Sequence, residues 1–317
     1  MKALLHCGTL KTGSTSIQNT AWANRQMLAR QGVLYPEAGI DPRASRERGE
    51  IGFRHSRFVD EFDKDTYPSL AAGLRDEIST SKAHTVLISS EQWSKPGAAV
   101  SLRALADHLG KAGVDDIHGL VFIRNARDYI TRHYREWVRR YGVSLAFQQY
   151  VISCRHCFDY LTICRNIQEA LHGKVTFVSY DSIADASHHL FERLQVDSSQ
   201  FRKPAKNNTG LSCLDTEIIR LLNQYGLRVG KLPEGREILD QFGLQASANP
   251  FLEALPDGFL DVYDSRYVRE FSKLTGIPST DSKALFKDHQ PTGINIAEVS
   301  PILEKMVFEW LKKQRAA

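Results

Sequence analysis

Five short runs rich in apolar residues divide the chain at regular intervals. They lie at residues 3–5, 33–35, 85–89, 119–123 and 174–179. Between the runs, apolar residues recur every three or four positions, as at Leu70, Leu74 and Ile78, which predicts helices. Repeated strand–helix–strand connections indicate a parallel sheet with helices on both faces. We therefore expect an α/β protein with three α/β/α layers and a central parallel sheet of about five strands.

Beyond Asp181 the pattern changes, because helical periodicity continues without a further convincing core strand. Helices are expected at residues 215–225, 259–275 and 298–313. We predict one domain over residues 1–317, with an α/β core at 1–213 and a helical C-terminal part at 214–317. Within the core, residues 37–65 are polar and rich in glycine and arginine, which is typical of a surface insertion or lid.

The first strand ends in a turn of small, hydroxyl-bearing and basic residues, Lys11-Thr12-Gly13-Ser14-Thr15-Ser16, directly before a helical pattern. Backbone N–H groups at a helix start, a close glycine and a lysine together favour an anion site. The turn is not a Walker A loop, because its lysine precedes Gly13 by two residues instead of following a glycine directly. In isolation, a capped helix after a strand explains such a turn equally well.

A second junction of the same kind follows the strand at residues 119–123. Its sequence is Arg124-Asn125-Ala126-Arg127-Asp128, and it leads into a helix. Arg124 comes one residue after the apolar run, where its charge must meet either solvent or an anion. Arg124 therefore either binds an anionic ligand or forms a structural ion pair.

The two junctions resemble motifs of the sulfotransferases that use 3′-phosphoadenosine 5′-phosphosulfate (PAPS). The first is similar to their 5′-phosphosulfate loop, with Leu10 in place of the usual proline, and the second is similar to their 3′-phosphate motif. Weaker similarities to bacterial members are Ser89-Ser90-Glu91, Tyr180-Asp181 and the segment from Asn207 to Ser212. The resemblance covers roughly residues 1–215 and implies a P-loop-like fold.

This resemblance implies the role of each site residue. Lys11 would stabilise the leaving phosphate oxygen, and the backbone of Thr12, Gly13, Ser14, Thr15 and Ser16 would hold the 5′-phosphate. Arg124 would bind the 3′-phosphate. The base would be Glu91, with His55 in the predicted lid as the second candidate. No metal is required, since lysine and arginine supply the charge.

Arg132 departs from the family pattern, because it stands where the motif usually has a serine, eight residues after Arg124. It can bind the 3′-phosphate bidentately, or form a helix-surface ion pair with Asp128 four residues earlier. For Glu91 the alternative is a solvated residue or a helix-capping partner. For His55 the alternative is an ordinary surface position.

The composition of the chain argues against several classes of protein. With 41 basic and 37 acidic residues the net charge is +4, too small for a general nucleic-acid binder. No run of about 18 apolar residues predicts a transmembrane helix, and nothing resembles a signal peptide. The five irregularly spaced cysteines fit a reducing compartment, so we expect a cytoplasmic protein. Residues 150–171 have a helical pattern and contain no convincing second pair at zinc spacing. We therefore interpret Cys154, Cys157 and Cys164 as packing residues, not zinc ligands.

The leading hypothesis is a PAPS-dependent sulfotransferase, whose nucleotide product would be adenosine 3′,5′-bisphosphate. The acceptor would be a hydroxyl or amine, expected on a carbohydrate or glycolipid because residues 43–57 are polar and rich in arginine. Two alternatives stay open: a P-loop-like kinase that uses ATP, and a non-catalytic relative that binds nucleotides or glycans. The sequence leaves the acceptor's identity, the oligomeric state and any lid motion open.

Overall fold

A computed structural model describes residues 1–43, 52–203, 212–227, 251, 254–255, 258–286 and 295–316. The strands are β1 Lys2–His6, β2 Val33–Leu34, β3 Thr85–Ser89, β4 Asp116–Ile123 and β5 Val175–Ser179. The helices are α1 Ser14–Ala23, α2 Arg25–Arg30, α3 Arg57–Asp60, α4 Tyr67–Thr80, α5 Ala99–Lys111, α6 Ala126–Tyr141, α7 Phe147–Ser153, α8 Tyr160–Ala170, α9 Ala186–Arg193, α10 Cys213–Gln224, α11 Ser265–Thr275, α12 Ser279–Leu285 and α13 Ile296–Ala316. Short 3₁₀ turns lie at Glu91–Ser94, Arg155–Phe158, Tyr180–Ser182 and Asp261–Tyr263.

The chain divides into two compact units. Unit 1 comprises Met1–Asn125, Asp159–Asn208 and Ser265–Leu285, and unit 2 comprises Ala126–Phe158, Thr209–Asp264 and Phe286–Ala317. Unit 1 contains the sheet, whose five strands are all parallel and lie in the order β2-β3-β1-β4-β5. The first strand is therefore the central one, with β3 on one side and β4 on the other.

Helices cover both faces of this sheet. On one face Leu4, Leu87 and Phe122 pack with Ile17 of α1 and Leu190 of α9 in one buried cluster. Because side chains alternate along a strand, the neighbouring residues point to the opposite face. There Gly119 lies against Leu171, which follows α8, and α8 packs on α5. The predicted three-layer fold with a parallel five-stranded sheet is thus confirmed.

Local sequence explains where several helices begin. The Asp159 side chain accepts a hydrogen bond from the backbone N–H of Thr162 at 3.2 Å, which starts α8. Asp185 accepts from the backbone of Ser187 at 2.8 Å and starts α9 in the same way. Each such cap stabilises its helix by about 1 kcal/mol. The cap at Asp159 also explains a wrong prediction, since the helical pattern expected over residues 150–171 is broken between α7 and α8.

Unit 2 is built from α6, α7, α10 and α13. Arg220 of α10 pairs with Glu217 at 2.7 Å, and Glu217 accepts a hydrogen bond from Ser300 of α13 at 2.6 Å. Aromatic side chains fill its interior: Tyr134 contacts both Phe147 and Phe251 edge-on. Helices α10, α11 and α13 fall close to the three helices expected at residues 215–225, 259–275 and 298–313. Among the described residues, no helix is both long and apolar enough to cross a bilayer.

Candidate active site

The carboxyl ends of β1, β3 and β4 bring three predicted site residues to one edge of the sheet. Leu5 and His6 of β1 lie in register with Ile88 and Ser89 of β3. The chain then runs from β1 towards Lys11, from β3 to Glu91 and from β4 to Arg124. In open α/β sheets, ligands bind outside this edge, where neighbouring connections leave in opposite directions. The topology therefore places Lys11, Glu91 and Arg124 where such a site is expected.

Residues 7–13, here called the 7–13 loop, continue along β4 before α1 begins. The backbone N–H of Cys7 donates to the carbonyl of Leu120 at 2.9 Å, and that of Thr9 donates to Phe122 at 3.2 Å. The Thr12 hydroxyl donates to the carbonyl of Thr9 at 2.6 Å, which closes the turn. The loop is therefore tied to the sheet at both its start and its middle.

Two residues of the loop have left-handed backbone conformations. Gly13, which caps α1, has φ 78°, and Lys11 has φ 68°. Glycine adopts this conformation at little cost, whereas for other residues it costs about 1–2 kcal/mol. Such strain persists where the surrounding structure enforces it, and it is concentrated at functional sites. The loop thus holds Lys11 in a conformation that its own side chain disfavours.

The start of α1 offers hydrogen-bond donors. The first backbone N–H groups of a helix have no acceptor within it, and they carry the positive end of the helix dipole. Ser14, the first residue of α1, has a buried hydroxyl without a hydrogen-bond partner among the described residues. Buried polar groups are normally satisfied, so this hydroxyl and the adjacent amides fit a bound anion such as phosphate.

Arg124 contacts the 7–13 loop directly. Its Nη1 donates to the backbone carbonyl of Lys11 at 2.7 Å. The guanidinium carbon lies 4.9 Å from the ring centroid of Tyr180, which follows β5, and the Tyr160 hydroxyl holds the Arg124 carbonyl at 2.8 Å. A side chain on Gly13 would lie 3.4 Å from the same Tyr180 ring. The two motif junctions and the turn after β5 therefore meet at one place.

Glu91 belongs to a buried polar network, here called the Glu91 network, formed by Gln18, Asp41, Arg54 and Glu91. One carboxylate oxygen of Glu91 accepts from Gln18 Nε2 at 2.8 Å, and the other pairs with Arg54 Nη1 at 2.8 Å. Arg54 pairs in turn with Asp41 at 3.1 Å. The side chains of Arg54 and Glu91 are only 13% and 10% exposed, so solvent screens their attraction weakly.

The network fixes the charge states of its members. Burial alone would raise the pKa of Glu91, but the Arg54 charge and the hydrogen bonds from Gln18 and Arg54 outweigh it and lower the pKa. Burial likewise opposes the charged form of Arg54, yet Glu91 and Asp41 together raise its pKa. The pKa of Asp41 is lowered, because hydrogen bonds from Arg43 and Arg54 outweigh its burial. Glu91 and Asp41 are therefore ionised at neutral pH.

His55 lies in the core of unit 1 and not on a surface loop. Its Nδ1 accepts from the backbone N–H of Ser89 at 3.1 Å, and its Nε2 lies 3.0 Å from the carbonyl of Pro36. Burial lowers the pKa of His55 to about 4, although its hydrogen bonds to Pro36 and Ser89 oppose the shift. His55 is thus neutral and holds the end of β3 against the chain after β2. Phe53 and Phe58 are also buried, so part of the predicted 37–65 lid lies in the core.

Arg132 belongs to unit 2, on α6. Its Nε lies 3.7 Å from Asp128, and the two side chains are 45% and 44% exposed. An exposed pair of this length contributes little stability. The role of Arg132 as a 3′-phosphate ligand stays a prediction.

Some residues named in the sequence analysis lie outside the described residues. They are residues 207–211 of the weaker motif that ends at Ser212, and Arg46 and Arg48 of the 37–65 region.

Sequence reasoning missed His6, the last residue of β1. Its ring is fully buried, and its Nδ1 lies 2.8 Å from the Ser89 hydroxyl. Burial lowers the pKa of His6 to about 4, against a smaller opposing effect of the Glu91 charge. In the sequence, His6 looks like a core residue at the end of an apolar run. Only the register of β1 with β3 reveals its polar partner.

The described residues contain no group of three histidine, cysteine or acidic side chains placed to hold a metal ion. Cys154 and Cys157 follow α7, and all five cysteines carry thiols, not disulfides. Burial raises the pKa of the Cys154 thiol, so little of it is ionised near neutral pH. Both cysteines are half-buried, and their interpretation as packing residues stays a prediction.

Comparison with known proteins adds one finding. No protein family profile matches the chain, and no curated protein matches it. Among solved structures, the chain is similar to a sulfotransferase from Alicyclobacillus acidocaldarius. The two have 14% sequence identity and a TM-score of 0.41, over 89% of this chain and 99% of that chain.

Proposed function

We propose that the protein is a PAPS-dependent sulfotransferase. The observation that supports this most strongly is the hydrogen bond between Arg124 and the carbonyl of Lys11, 2.7 Å long. It joins two motif junctions that are more than a hundred residues apart in the sequence. Each motif alone has an ordinary structural explanation, but together they supply two cations beside one set of helix N-terminal amides.

The chain offers a matching group for each anionic part of the nucleotide. In this proposal the amides of Thr12, Gly13, Ser14 and Thr15 and the buried Ser14 hydroxyl hold the 5′-phosphate. The Ser16 amide is used within the turn, where it donates to the carbonyl of Gly13 at 2.9 Å. Arg124 binds the 3′-phosphate, since a guanidinium with five N–H donors can bind a phosphate and the Lys11 carbonyl together. Tyr180, beside both Gly13 and Arg124, restricts the position of that guanidinium.

When bound, PAPS supplies the sulfuryl group that passes to the acceptor oxygen or nitrogen. The bond from sulfur to the bridging phosphate oxygen breaks, and negative charge develops on that oxygen. In this proposal the Lys11 ammonium stabilises this charge. Most of the catalysis is then positioning and electrostatics, as in phosphoryl transfer. The strained backbone at Lys11 supports the proposal, because it fixes where the side chain leaves the loop.

The acceptor must lose one proton as its bond to sulfur forms, and we assign Glu91 as the base. The carboxylate is ionised, and its two oxygens have lone pairs beyond those used by Gln18 and Arg54. His55 is not retained as the base, because both of its ring nitrogens are engaged by backbone groups. A base with a lowered pKa predicts turnover that persists into mildly acidic solution.

The proposed acceptor is a hydroxyl or amine of a carbohydrate or glycolipid. Polar residues of the 37–65 region lie beside Glu91: Arg54 contacts it, and Arg43 pairs with Asp41 at 2.8 Å. Arg43 is 62% exposed and can reach a polar ligand. The proposed location is the cytoplasm, which the five cysteine thiols support.

Calorimetry with adenosine 3′,5′-bisphosphate and with ATP tests the donor assignment without knowledge of the acceptor. We expect micromolar binding of the bisphosphate and no heat with ATP and Mg²⁺. Binding of AMP should be weaker, because AMP lacks the 3′-phosphate. A protein that binds ATP and ignores the bisphosphate would be a kinase-like protein, and the proposal would be wrong.

Turnover separates an enzyme from a non-catalytic relative. Wild-type protein incubated with ³⁵S-labelled PAPS and a broad glycan panel should transfer label to at least one glycan. Glu91→Gln should bind the bisphosphate but transfer no label. If wild-type protein binds the bisphosphate and labels none of the panel, the binding-protein alternative is favoured.

A further inference from the structure

The ring of His6 presents a buried nitrogen to the 7–13 loop. Its Nε2 has no hydrogen-bond partner among the described residues, and the side chain is fully buried. A Cβ atom built on Gly8 would lie 2.6 Å from this nitrogen and 3.1 Å from the Thr12 hydroxyl. Nε2 therefore faces the loop backbone, in a space that exists because residue 8 is glycine.

The hydrogen-bond network determines which ring nitrogen carries the proton. Gln18 Nε2 lies 2.8 Å from a Glu91 carboxylate oxygen, which can only accept, so the amide nitrogen of Gln18 faces Glu91 and Ser89. The Ser89 hydroxyl thus accepts from Gln18 at 3.4 Å. Two groups lie near the proton of this hydroxyl: the Tyr35 hydroxyl, which is itself engaged with the carbonyl of Phe53 at 2.7 Å, and His6 Nδ1. Of the two, His6 Nδ1 is at hydrogen-bond distance, 2.8 Å away, and we assign it as the acceptor. A neutral ring that accepts at Nδ1 carries its own proton on Nε2.

Beneath the loop there is accordingly a neutral N–H donor without an acceptor. It belongs to β1 and not to the helix start, yet like the Ser14 hydroxyl it is buried without a hydrogen-bond partner among the described residues. A phenylalanine would fill the same volume without burying a polar group. Buried donors of this kind are normally satisfied, by the protein, by ordered water or by a ligand.

We propose that His6 is an anion-binding residue of the 7–13 loop. Its Nε2–H donates to an oxygen of the phosphate or sulfate group held there, or to one buried water bonded to that oxygen. The inference rests on the proposed function, because it needs an anion in the loop. It adds a neutral donor to the charged Lys11 and Arg124. A neutral donor binds the anion without adding a further charge to be desolvated.

A pair of substitutions separates this role from simple packing. His6→Asn retains a polar atom near Nδ1 for Ser89 and loses the donor at Nε2, whereas His6→Gln places an amide nitrogen near Nε2. We expect the Kd for adenosine 3′,5′-bisphosphate, measured by calorimetry, to rise about tenfold or more in His6→Asn and less than about threefold in His6→Gln. The matched control is His118→Gln, since His118 bonds Thr176 at 2.8 Å on β4, away from the loop.

The outcomes of these measurements separate the anion-binding role of His6 from the proposed function as a whole. If both His6 variants bind as tightly as wild type, or both bind equally weakly, the inference is wrong while the proposed function stands. If the wild-type protein prefers ATP, the proposed function fails, and the same pair of variants tests His6 with ATP as the probe. If wild-type protein binds neither nucleotide, both are wrong.

A crystal structure of the wild-type protein with the bisphosphate tests the inference without any variant. His6 Nε2 should lie within about 3.2 Å of a phosphate oxygen, or of a water bonded to one. A ring whose Nε2 faces only carbon atoms in that complex would overturn the inference.

Discussion

The 7–13 loop and the Glu91 network lie at the same edge of the same sheet, yet they are built in opposite ways. In the network, the charged and polar side chains pair with one another: Glu91 with Gln18 and Arg54, and Arg54 with Asp41. The loop instead has a strained lysine, and it leads into Ser14, whose buried hydroxyl has no partner among the described residues. The difference indicates that the network stabilises the fold and orients Glu91. In our proposal, a bound ligand satisfies the donors at the loop.

Substitution within the network should have the largest effect on stability. Glu91→Gln keeps the shape of the side chain but leaves buried Arg54 with one carboxylate fewer. Removing one partner of a buried ion pair costs about 3–5 kcal/mol, and we expect about 3 kcal/mol because Asp41 remains. Urea unfolding measures this change. Bisphosphate affinity should change less than about threefold, which sets this residue apart from the loop.

The control for Glu91→Gln is Glu270→Gln, which breaks an exposed pair with Arg266 on α11. An exposed helix pair contributes about 0.3–0.5 kcal/mol. If the two variants unfold alike, the Glu91 network does not stabilise unit 1 as argued.

Substitution of Lys11 or Arg124 should instead weaken ligand binding more than it lowers stability. Lys11→Ala and Arg124→Ala should each weaken bisphosphate binding by about 1.5–3 kcal/mol, the range for hydrogen bonds to charged groups. Calorimetry measures the affinity, and Lys2→Ala on the exposed start of β1 is the matched control. Unchanged affinity in both variants would refute the assignment of the loop as the anion site.

The pH dependence of unfolding tests the buried histidine beside the network. The pKa of His55 is about 4 in the folded protein and about 6.5 when unfolded. The unfolded state therefore binds the additional proton between these values, and stability is lost as the pH falls below 6.5. Between pH 7.5 and 5.5 the free energy of unfolding of wild type should fall by about 1.4 kcal/mol more than that of His55→Gln.

His156→Gln serves as the comparison for that experiment, because His156 is exposed on the surface. The decisive quantity is the difference in slope between variant and wild type, not the absolute stability. Parallel slopes for wild type and His55→Gln would mean that His55 is accessible to protons in the folded protein.

The smallest expected effect on stability comes from the left-handed backbone conformation of residue 11. Lys11→Gly and Lys11→Ala both remove the ammonium, but only glycine adopts the left-handed conformation without strain. The glycine variant should be more stable than the alanine variant by about 1 kcal/mol in urea unfolding, with equally weak bisphosphate binding. A more stable alanine variant would show that the loop relaxes at residue 11.

Much of unit 1 could be predicted because its strands are short apolar runs at regular spacing. The carboxyl ends of those runs also identified Lys11, Glu91 and Arg124, since parallel strands present their ends at one edge. The prediction failed where a helical pattern is interrupted, since α7 ends at Ser153 and Asp159 caps the start of α8. Periodicity is nearly uninterrupted there, and only the capping hydrogen bond reveals the break.

The Glu91 network could not be predicted, because its members come from three separate parts of the chain. Gln18 lies on α1, Arg54 precedes α3 and Glu91 follows β3, and no local pattern links them. His55 was expected on a surface lid because its neighbours in sequence are polar. Its burial depends on contacts with Ser89 and Pro36, which sequence alone does not show.

The central position of β1 also constrains how the protein folds. Lys2 pairs with Thr85 of β3 and with Asp116 of β4, so the earliest strand depends on partners far along the chain. Long-range parallel pairing of this kind is slow, because distant segments must meet before any contact stabilises them. During synthesis on the ribosome, the 7–13 loop can form its hydrogen bonds to Leu120 and Phe122 only after β4 has emerged. A nascent chain that stops before Asp116 would therefore leave an apolar strand exposed to chaperones or to aggregation.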